Sequence, residues 1–222
     1  MKQPCELIVL HTTKYGENAL VIHTLCRELG KKSFLVRGVG KKVSPAWFLQ
    51  FNIIEADISH SDKSSLDVAS HFSQKEPLTS LRESPGKNCI ALFLSEVLLK
   101  TLQEGEVDTD FYAWLRGRIL LLDRLGTGAN QIPYANFHIA LLKELSEKEG
   151  YRATEQDLLI FSEEGLNDLE KLEGKSFEQT LLVPLTGHRR DRIIRSYLKF
   201  LEYHLDTPLH IQSLDVLSAL FA

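Results

Sequence analysis

Hydrophobic and polar positions alternate with a period of two in short runs over the first third of the chain. Alternating runs bounded by turn residues predict half-buried β-strands. We expect five strands, at residues 7–12, 19–25, 33–37, 48–58 and 66–72. Because closing a short sheet removes its exposed edges, this pattern favours a small barrel. The five-stranded oligonucleotide-binding (OB) barrel is the leading candidate, with an SH3-like barrel as the alternative.

From residue 88 onward the apolar residues recur at the spacing of amphipathic helices. Pro133 suits a first helical turn, where its missing N–H would have no intrahelical partner. The stretch 151–186 is weakly periodic and predicts short helical pieces and a loop. The spacing predicts helices at residues 88–102, 108–125, 133–149 and 189–205, and a last helix that starts at Pro208.

A polar segment that contains Pro77 and Pro85 separates the two patterns and predicts a linker. The expected fold class is therefore α+β, with the barrel first and an all-helical part after it. The predicted division is an OB-fold barrel domain at residues 1–76, a linker at 77–87 and an α-helical domain at 88–222.

The composition is ordinary for a soluble globular protein, with 43% hydrophobic and 25% charged residues in a chain of 222. No apolar run approaches the roughly 20 residues that span a membrane. The N-terminus lacks the apolar run of a secretion signal. A cytoplasmic location without membrane contact is expected.

The three cysteines, Cys5, Cys26 and Cys89, are scattered and include no Cys-x-x-Cys pair. This spacing is typical of reduced, buried thiols and argues against a disulfide framework or a cysteine-rich zinc site. The eight histidines form no His-x-x-x-His pair on a predicted helix. We therefore expect neither a structural metal nor a cofactor.

Charge is distributed unevenly along the chain. Residues 1–50 hold eight cations and three acids, whereas the remaining 172 residues hold 18 cations and 27 acids. The first part therefore carries +5 and the rest −9, although the net charge is only −4. A basic N-terminal region suggests a polyanionic partner that the overall charge would hide.

A basic segment at residues 30–42 concentrates this positive charge. It predicts one short strand between two turns, and Gly30, Gly38 and Gly40 suit backbone turns that need a positive φ. The cations fit phosphate binding, and the alternative is a solvated hairpin tip. Tyr15, in a turn beside Gly16, is a candidate for stacking on bases. The candidate DNA-binding residues are Lys14, Tyr15, Arg27, Lys31, Lys32, Arg37, Lys41 and Lys42.

A second basic segment lies on the predicted helix at 189–205. His188, Arg192, Arg195 and Lys199 follow the i, i+4, i+7, i+11 spacing of one helical face. Such a face is either a plain surface or a site for phosphate or an acidic peptide tail, which arginine can bind in bidentate fashion. The candidates for DNA or acidic-tail binding are Arg189, Arg190, Arg192, Arg195 and Lys199.

The sequence contains no local catalytic motif. A Gly-x-Ser-x-Gly elbow, a phosphate loop, a dinucleotide glycine fingerprint and a His-Glu-x-x-His pair are all absent. We therefore expect no catalytic residues and no enzymatic activity.

An ordered series of segments resembles the RecO recombination-mediator proteins. The N-terminal part of the series is residues 8–17, 21–25, 30–31 and 35–39. Its later part is residues 90–98, 135–138, 150–151, 203–205 and 213–217. The similarity covers nearly the whole chain, and its specificity lies in the order of the segments.

This resemblance implies an OB barrel followed by a helical domain, and a non-catalytic role in repair. It implies binding of single-stranded and double-stranded DNA, annealing of complementary strands, and loading of the recombinase together with RecR. Many members also bind the acidic tail of the single-stranded DNA-binding protein. The alternative is an interaction adaptor whose basic faces bind an acidic partner and not DNA.

The chain departs from many members in one respect. They carry a four-cysteine zinc cluster after the Gly-Tyr pair, whereas residues 152–184 contain no cysteine here. The chain therefore resembles the subgroup in which an acidic segment replaces the cluster, and the zinc is not expected.

Overall fold

The computed structural model describes residues 2–60, 65–128, 131–162 and 169–221. The N-terminal part of these residues forms strands, and the C-terminal part forms helices. A 3-10 helix (Pro45–Phe48) precedes the fourth strand. The strands are β1 (Lys2–Lys14), β2 (Ala19–Cys26), β3 (Gly30–Arg37), β4 (Ile53–Ser59) and β5 (Asp67–Gln74).

The strands form a closed barrel in the order β1-β2-β3-β5-β4. β1 pairs antiparallel with both β2 and β4, and β2 pairs antiparallel with β3. A parallel ladder between β3 and β5 closes the barrel through the pairs Phe34–Asp67 and Leu35–Val68. The predicted fold class, a five-stranded OB barrel followed by helices, is confirmed.

The predicted strand at residues 48–58 is wrong at its beginning, because β4 starts only at Ile53. The hydroxyl of Ser44 caps the 3-10 helix by accepting a hydrogen bond from the amide of Ala46 (3.3 Å). Phe51 then adopts a φ of 65°, so the chain turns before β4 can begin. Phe48 is nevertheless buried in the barrel core.

The inward side chains of the strands form one apolar core. Successive residues of a strand point to opposite faces, so β4 contributes every second residue to this core. The core consists of Cys5, Leu7, Val9, Ile22, Cys26, Phe34, Val36, Val39, Phe48, Ile54, Ala56, Ile58 and Ala69.

The helices follow the predicted order with some shifted ends. The carboxylate of Asp108 caps its helix by accepting hydrogen bonds from the amides of Asp110 (2.9 Å) and Phe111 (2.8 Å). The helices are α1 (Thr79–Glu83), α2 (Pro85–Thr101), α3 (Thr109–Arg124), α4 (Phe137–Lys148), α5 (Glu155–Ile160), α6 (Phe177–Leu181), α7 (Gly187–Leu205) and α8 (Ser213–Phe221).

Two helix starts, those of α4 and α8, lie furthest from the sequence pattern. α4 begins at Phe137 and not at Pro133. The side chain of Asn136 does not cap this helix, and its amide nitrogen donates to the carbonyls of Thr180 (3.1 Å) and Val183 (2.7 Å) instead. α8 begins at Ser213 and not at Pro208. In the weakly periodic stretch, α5 and α6 are the expected short helical pieces, and residues 163–168 lie outside the described residues.

The chain divides into two compact units. One contains the barrel residues up to Thr79 and Ser95–Leu120, and the other contains Ser80–Leu94 and the residues from Leu121 onward. α2 and α3 each contribute residues to both units. The division at residues 76 and 88 stays a prediction, and α1 and the start of α2 occupy the segment predicted as a linker.

The first unit contains polar contacts between the barrel and α3. The carboxylate of Glu6 in β1 accepts a hydrogen bond from the hydroxyl of Tyr112 (3.0 Å) and pairs with the guanidinium of Arg116 (3.3 Å). Arg116 also pairs with Glu76, which follows β5. These contacts fix α3 against the outside of the barrel.

The second unit is helical and contains a buried lysine. Lys87 is 1% exposed, and its ammonium donates to the hydroxyl of Ser80 (2.7 Å) and the carbonyl of Asp123 (2.9 Å). Burial lowers the pKa of Lys87, and the charge of Asp123 opposes that shift. Across the described part of the chain, no helix has the length and apolar character needed to cross a bilayer.

Candidate nucleic-acid interface

Two turns meet at one end of the barrel. The carbonyl of Asn18, in the β1–β2 turn, accepts hydrogen bonds from the amides of Gly38 (2.8 Å) and Val39 (3.1 Å). The strand pair Ala19–Arg37 adjoins this contact. The turns therefore gather five of the predicted residues, which we call the cationic end: Lys14, Tyr15, Arg37, Lys41 and Lys42.

The loop after β3 has a compact backbone. Gly38 and Gly40 adopt φ values of 78° and 82°, which a residue with a side chain adopts only under strain. The carbonyl of Gly38 accepts hydrogen bonds from the amides of Lys41 (3.2 Å), Lys42 (2.8 Å) and Val43 (3.1 Å). The backbone thus fixes both lysines at the surface without using their ammonium groups.

The side chains of the cationic end are exposed. Tyr15 is 59% exposed. None of its four cations forms an ion pair with another residue in the part of the chain that the structure describes. Glu17, also exposed, is an acid in the same turn, so the local charge is about +3. This end of the barrel thus presents four exposed cations and one exposed aromatic ring, the two kinds of group that contact single-stranded nucleic acid.

The remaining three barrel candidates lie at the other end of the β2–β3 ladder. There Cys26 pairs with Gly30, seven residues along β3 from Arg37. At about 3.3 Å per residue, roughly 23 Å separates the two ends of the strand. Arg27, Lys31 and Lys32 therefore do not belong to the cationic end.

Lys31 has a structural role. Its ammonium donates to the carbonyls of Leu99 (2.7 Å) and Leu102 (2.6 Å) at the C-terminus of α2, where backbone carbonyls lack intrahelical partners. Burial lowers the pKa of Lys31. A Cβ at Gly30 would overlap the carbonyl of Glu106. The first turn of the basic segment thus contacts the chain that follows α2.

Lys32 is neutralised by an acid. Its ammonium pairs with the carboxylate of Asp67 (2.6 Å), which also contacts the ring of His60 (2.8 Å). The hydrogen bond from Lys32 is the largest cause of the lowered pKa of Asp67. Arg27 is exposed in the β2–β3 turn. This end of the barrel offers less free positive charge than the cationic end.

The outer face of β1, β2 and β3 carries a polar aromatic group that the sequence analysis missed. The ring of His23 lies between the hydroxyls of Thr13 (3.0 Å) and Ser33 (2.8 Å) and stacks on His11 (5.8 Å between ring centroids). Burial, followed by the charge of His11, lowers the pKa of His23. We call His11, Thr13, His23 and Ser33 the histidine face. The sequence could have indicated this group, because its four residues occupy outward positions of strands in which apolar and polar residues alternate.

The basic residues of α7 fall into two groups, one that packs against the protein and one that lies at the surface. The side chain of Arg190 is part of the packing: it donates to the carbonyls of Leu185 (2.7 Å) and Phe221 (3.2 Å), and burial lowers its pKa. Arg189, Arg195 and Lys199 are exposed and Arg192 is half-buried. These four form the α7 basic stripe, in which Asp191 pairs with Arg195 (2.8 Å) and offsets part of its charge.

A closed five-stranded barrel with the strand order β1-β2-β3-β5-β4 places this part of the chain in the oligonucleotide-binding fold class. The family described as "Recombination protein O N terminal" matches residues 1–74, which are the barrel strands. The barrel is similar to the N-terminal domain of RecO proteins, and the whole chain is similar to proteins of that name.

Two of the curated relatives described here are similar over nearly the whole chain, and a third over part of it. A protein of Flavobacterium johnsoniae named DNA repair protein RecO is 26% identical over 244 residues and covers 100% of both chains. A protein of the same name from Bacteroides fragilis is 28% identical over 240 residues, which are 96% of this chain and 97% of that protein. A third, from Porphyromonas gingivalis, is 33% identical over 145 residues, 62% of this chain and 56% of that protein.

These relationships agree with the resemblance that the ordered segments carry. The relatives are named DNA repair proteins and the matching family model is named for recombination, which supports a role in repair and recombination. Neither name describes an enzymatic activity, in agreement with the expected non-catalytic role. This chain contains no cysteine in residues 152–184.

Proposed function

We propose that the barrel binds DNA through the cationic end and the adjoining histidine face, as part of a role in repair and recombination. The observation that carries this proposal is that Lys14, Arg37, Lys41 and Lys42 are exposed, without ion pairs among the described residues, at the same end of the barrel as the exposed ring of Tyr15. Ammonium and guanidinium groups hold backbone phosphates without reading sequence, and an aromatic ring stacks on any base.

The proposed contact has a quantitative signature. Each neutralised phosphate releases counterions, so affinity falls with salt at a slope of about −0.7 per contact for a single strand. Four cations therefore give a slope of about −3 in a double-logarithmic plot. Lys31, Lys32 and Arg190 are left out of the proposed surface, because carbonyls or a carboxylate already bind them.

A triple variant tests the proposal. Arg37→Ala, Lys41→Ala and Lys42→Ala together should weaken binding of a fluorescent single-stranded oligonucleotide at least about tenfold at low salt and reduce the salt slope by about 2. The matched control removes one arginine and two lysines elsewhere, with Arg124→Ala, Lys148→Ala and Lys171→Ala, all exposed in the second unit. Equal losses in both triple variants would mean that net charge, and not this surface, governs binding.

The similarity to proteins named DNA repair protein RecO supports a more specific role. The proposed activities are binding of single-stranded and double-stranded DNA, annealing of complementary strands, and loading of the recombinase with RecR in the cytoplasm, at the nucleoid. In a strand-annealing assay the same triple variant should be slower than both the unmodified chain and the control variant. Unchanged annealing would show that DNA contact at the cationic end is not needed for strand annealing.

The α7 basic stripe supports a second contact, with the acidic tail of the single-stranded DNA-binding protein. Arginines bind carboxylates in bidentate fashion, and this stripe presents three of them beside Lys199. Arg189→Ala with Lys199→Ala should weaken binding of a labelled acidic tail peptide and leave oligonucleotide binding unchanged. Loss of peptide binding in the cationic-end variant, with annealing intact, would favour the adaptor function instead.

A further inference from the structure

Two buried thiols and one carboxylate meet in the wall of the barrel. The thiols belong to Cys5 in β1 and Cys26 at the end of β2, and the carboxylate belongs to Glu28 in the β2–β3 turn. Their ligand atoms all lie within 4.8 Å of one another. We call these three residues the thiol cluster. Sequence spacing did not indicate it, because it depends on the register of β1 against β2.

The distances in this cluster match a tetrahedral metal site. The Sγ of Cys26 lies 3.5 Å from the Oε2 of Glu28. With a metal–sulfur bond of about 2.3 Å and a metal–oxygen bond of about 2.0 Å, the sulfur and oxygen ligands of tetrahedral zinc are about 3.5 Å apart. Two thiolates on such an ion are about 3.8 Å apart, so the sulfurs need to move by about 1 Å or less.

The carboxylate is already oriented toward the sulfurs. The Oε2 of Glu28 accepts a hydrogen bond from the backbone amide of Glu6 (3.2 Å), which is the neighbour of Cys5 in β1. Hydrogen bonds of this kind fix the position of metal-binding carboxylates. Glu28 is exposed, whereas both cysteines are 1% exposed. The cluster therefore has one solvent-facing ligand through which an ion can enter.

A disulfide fits the same residues less well. The register places Leu7, and not Cys5, opposite Cys26. Cys5 is therefore a diagonal neighbour, and such residues are about 7–8 Å apart. Disulfides need Cα atoms within about 6.8 Å of each other. The two cysteines are free thiols, and a bridging ion can join them where a covalent bond cannot.

We propose that Cys5, Cys26 and Glu28 bind a thiophilic divalent cation of the zinc class, with water as the fourth ligand. Two thiolates select a soft or borderline ion, and the carboxylate completes three protein ligands. Binding releases the two thiol protons, so the bound cluster carries three negative ligands on a 2+ ion. The ion would fasten β1 to the β2–β3 turn and has no part in the proposed DNA contact.

The test is a titration of the reduced, chelator-treated full-length chain with Cd²⁺, followed by the sulfur-to-cadmium charge-transfer absorption. One equivalent should produce the band, and Zn²⁺ should compete for the site. Glu28→Gln, an isosteric change at an exposed position, should weaken Cd²⁺ binding at least about tenfold. Cys5→Ser should remove at least about half of the band and weaken Cd²⁺ binding, because one of the two sulfur ligands is lost.

Cys89→Ser is the matched control, because Cys89 is also buried but lies in α2, outside the cluster. It should leave the titration unchanged. A band of full intensity in Cys5→Ser, or a Glu28→Gln variant with unchanged affinity, would overturn the proposal. If Cys5→Ser fails to fold, the comparison of Glu28→Gln with Cys89→Ser still decides the question, because equal affinities would exclude Glu28 as a ligand.

Discussion

The backbone carbonyl of Asn18 accepts hydrogen bonds from both Gly38 and Val39, at N···O distances of 2.8 and 3.1 Å. A single carbonyl thereby joins the turn that carries Tyr15 to the loop that carries Lys41 and Lys42. Because backbone atoms make the connection, side-chain substitutions at the cationic end should change binding while the barrel remains folded.

Tyr15→Ala should weaken binding of a single-stranded oligonucleotide by about 1–3 kcal/mol, the usual contribution of one base stacked on an aromatic ring. Tyr15→Phe should retain most of the affinity, since the ring is kept. Tyr203→Ala is the control, because Tyr203 is 70% exposed on α7 and lies outside the proposed surface. Fluorescence anisotropy measures all three variants. A loss of equal size at Tyr203 would argue against stacking at Tyr15.

Gly30→Ala should destabilise the chain more than Gly40→Ala, although both glycines have positive φ values. At Gly40 nothing lies within 4 Å of an added Cβ, so only backbone strain of about 1 kcal/mol is expected. At Gly30 the same atom meets the carbonyl of Glu106, and backbone must move. Urea unfolding measures the difference. Equal midpoints for both variants would contradict the close approach at Gly30.

Lys31→Met should cost about 1–3 kcal/mol of stability, because the carbonyls of Leu99 and Leu102 lose their donor. Lys32→Met should cost about 0–1 kcal/mol, because its ion pair with Asp67 is solvent-exposed on the lysine side. Unfolding in urea gives both values. The assignment of Lys31 to structure is contradicted if Lys31→Met keeps full stability but weakens DNA binding.

The unfolding free energy should fall as the pH drops below 6.5, because of His138. Burial, with a smaller contribution from Arg190, lowers the pKa of His138 from 6.5 to about 3. The unfolded chain therefore takes up a proton that the folded chain excludes. Between pH 7 and pH 5 this costs about 2 kcal/mol.

His138→Leu should remove this part of the pH dependence, because the titrating imidazole is gone. The change breaks no hydrogen bond at Nδ1, which has no partner among the described residues. His188→Leu, at an exposed position, should leave it unchanged. Urea unfolding at a series of pH values gives the slope for each variant. A wild-type slope in His138→Leu would show that another group causes the effect.

Periodicity alone predicted the barrel and the principal helices. Alternation located β1, β2, β3 and β5, because each buries one face in a common core. The start of β4 could not be found in this way. Phe48 is apolar and buried whether it lies in a strand or in a 3-10 helix, and the positive φ of Phe51 leaves no signal in that pattern.

The candidate site was predictable in composition but not in its arrangement. Charge density identified residues 30–42, and five of the eight barrel candidates do share one end. Lys31 is excluded from the proposed DNA-binding surface because its ammonium binds carbonyls 68 and 71 residues away in the sequence. Arg190 is excluded because its guanidinium binds the carbonyl of Phe221. Such long-range contacts have no local sequence pattern.

The short parallel ladder between β3 and β5 makes one seam of the barrel weaker than the others. Among the residues that the structure describes, the pairs Phe34–Asp67 and Leu35–Val68 alone are registered there, whereas β2 and β3 share eight pairs. Local opening should therefore begin at this seam, and it would turn the closed barrel into a curled sheet with two free edges. The ion pair between the ammonium of Lys32 and the carboxylate of Asp67 lies beside this ladder and should slow its opening. Amide hydrogen exchange would be fastest there among the ladders and slowest between β2 and β3, whose ladder is continuous.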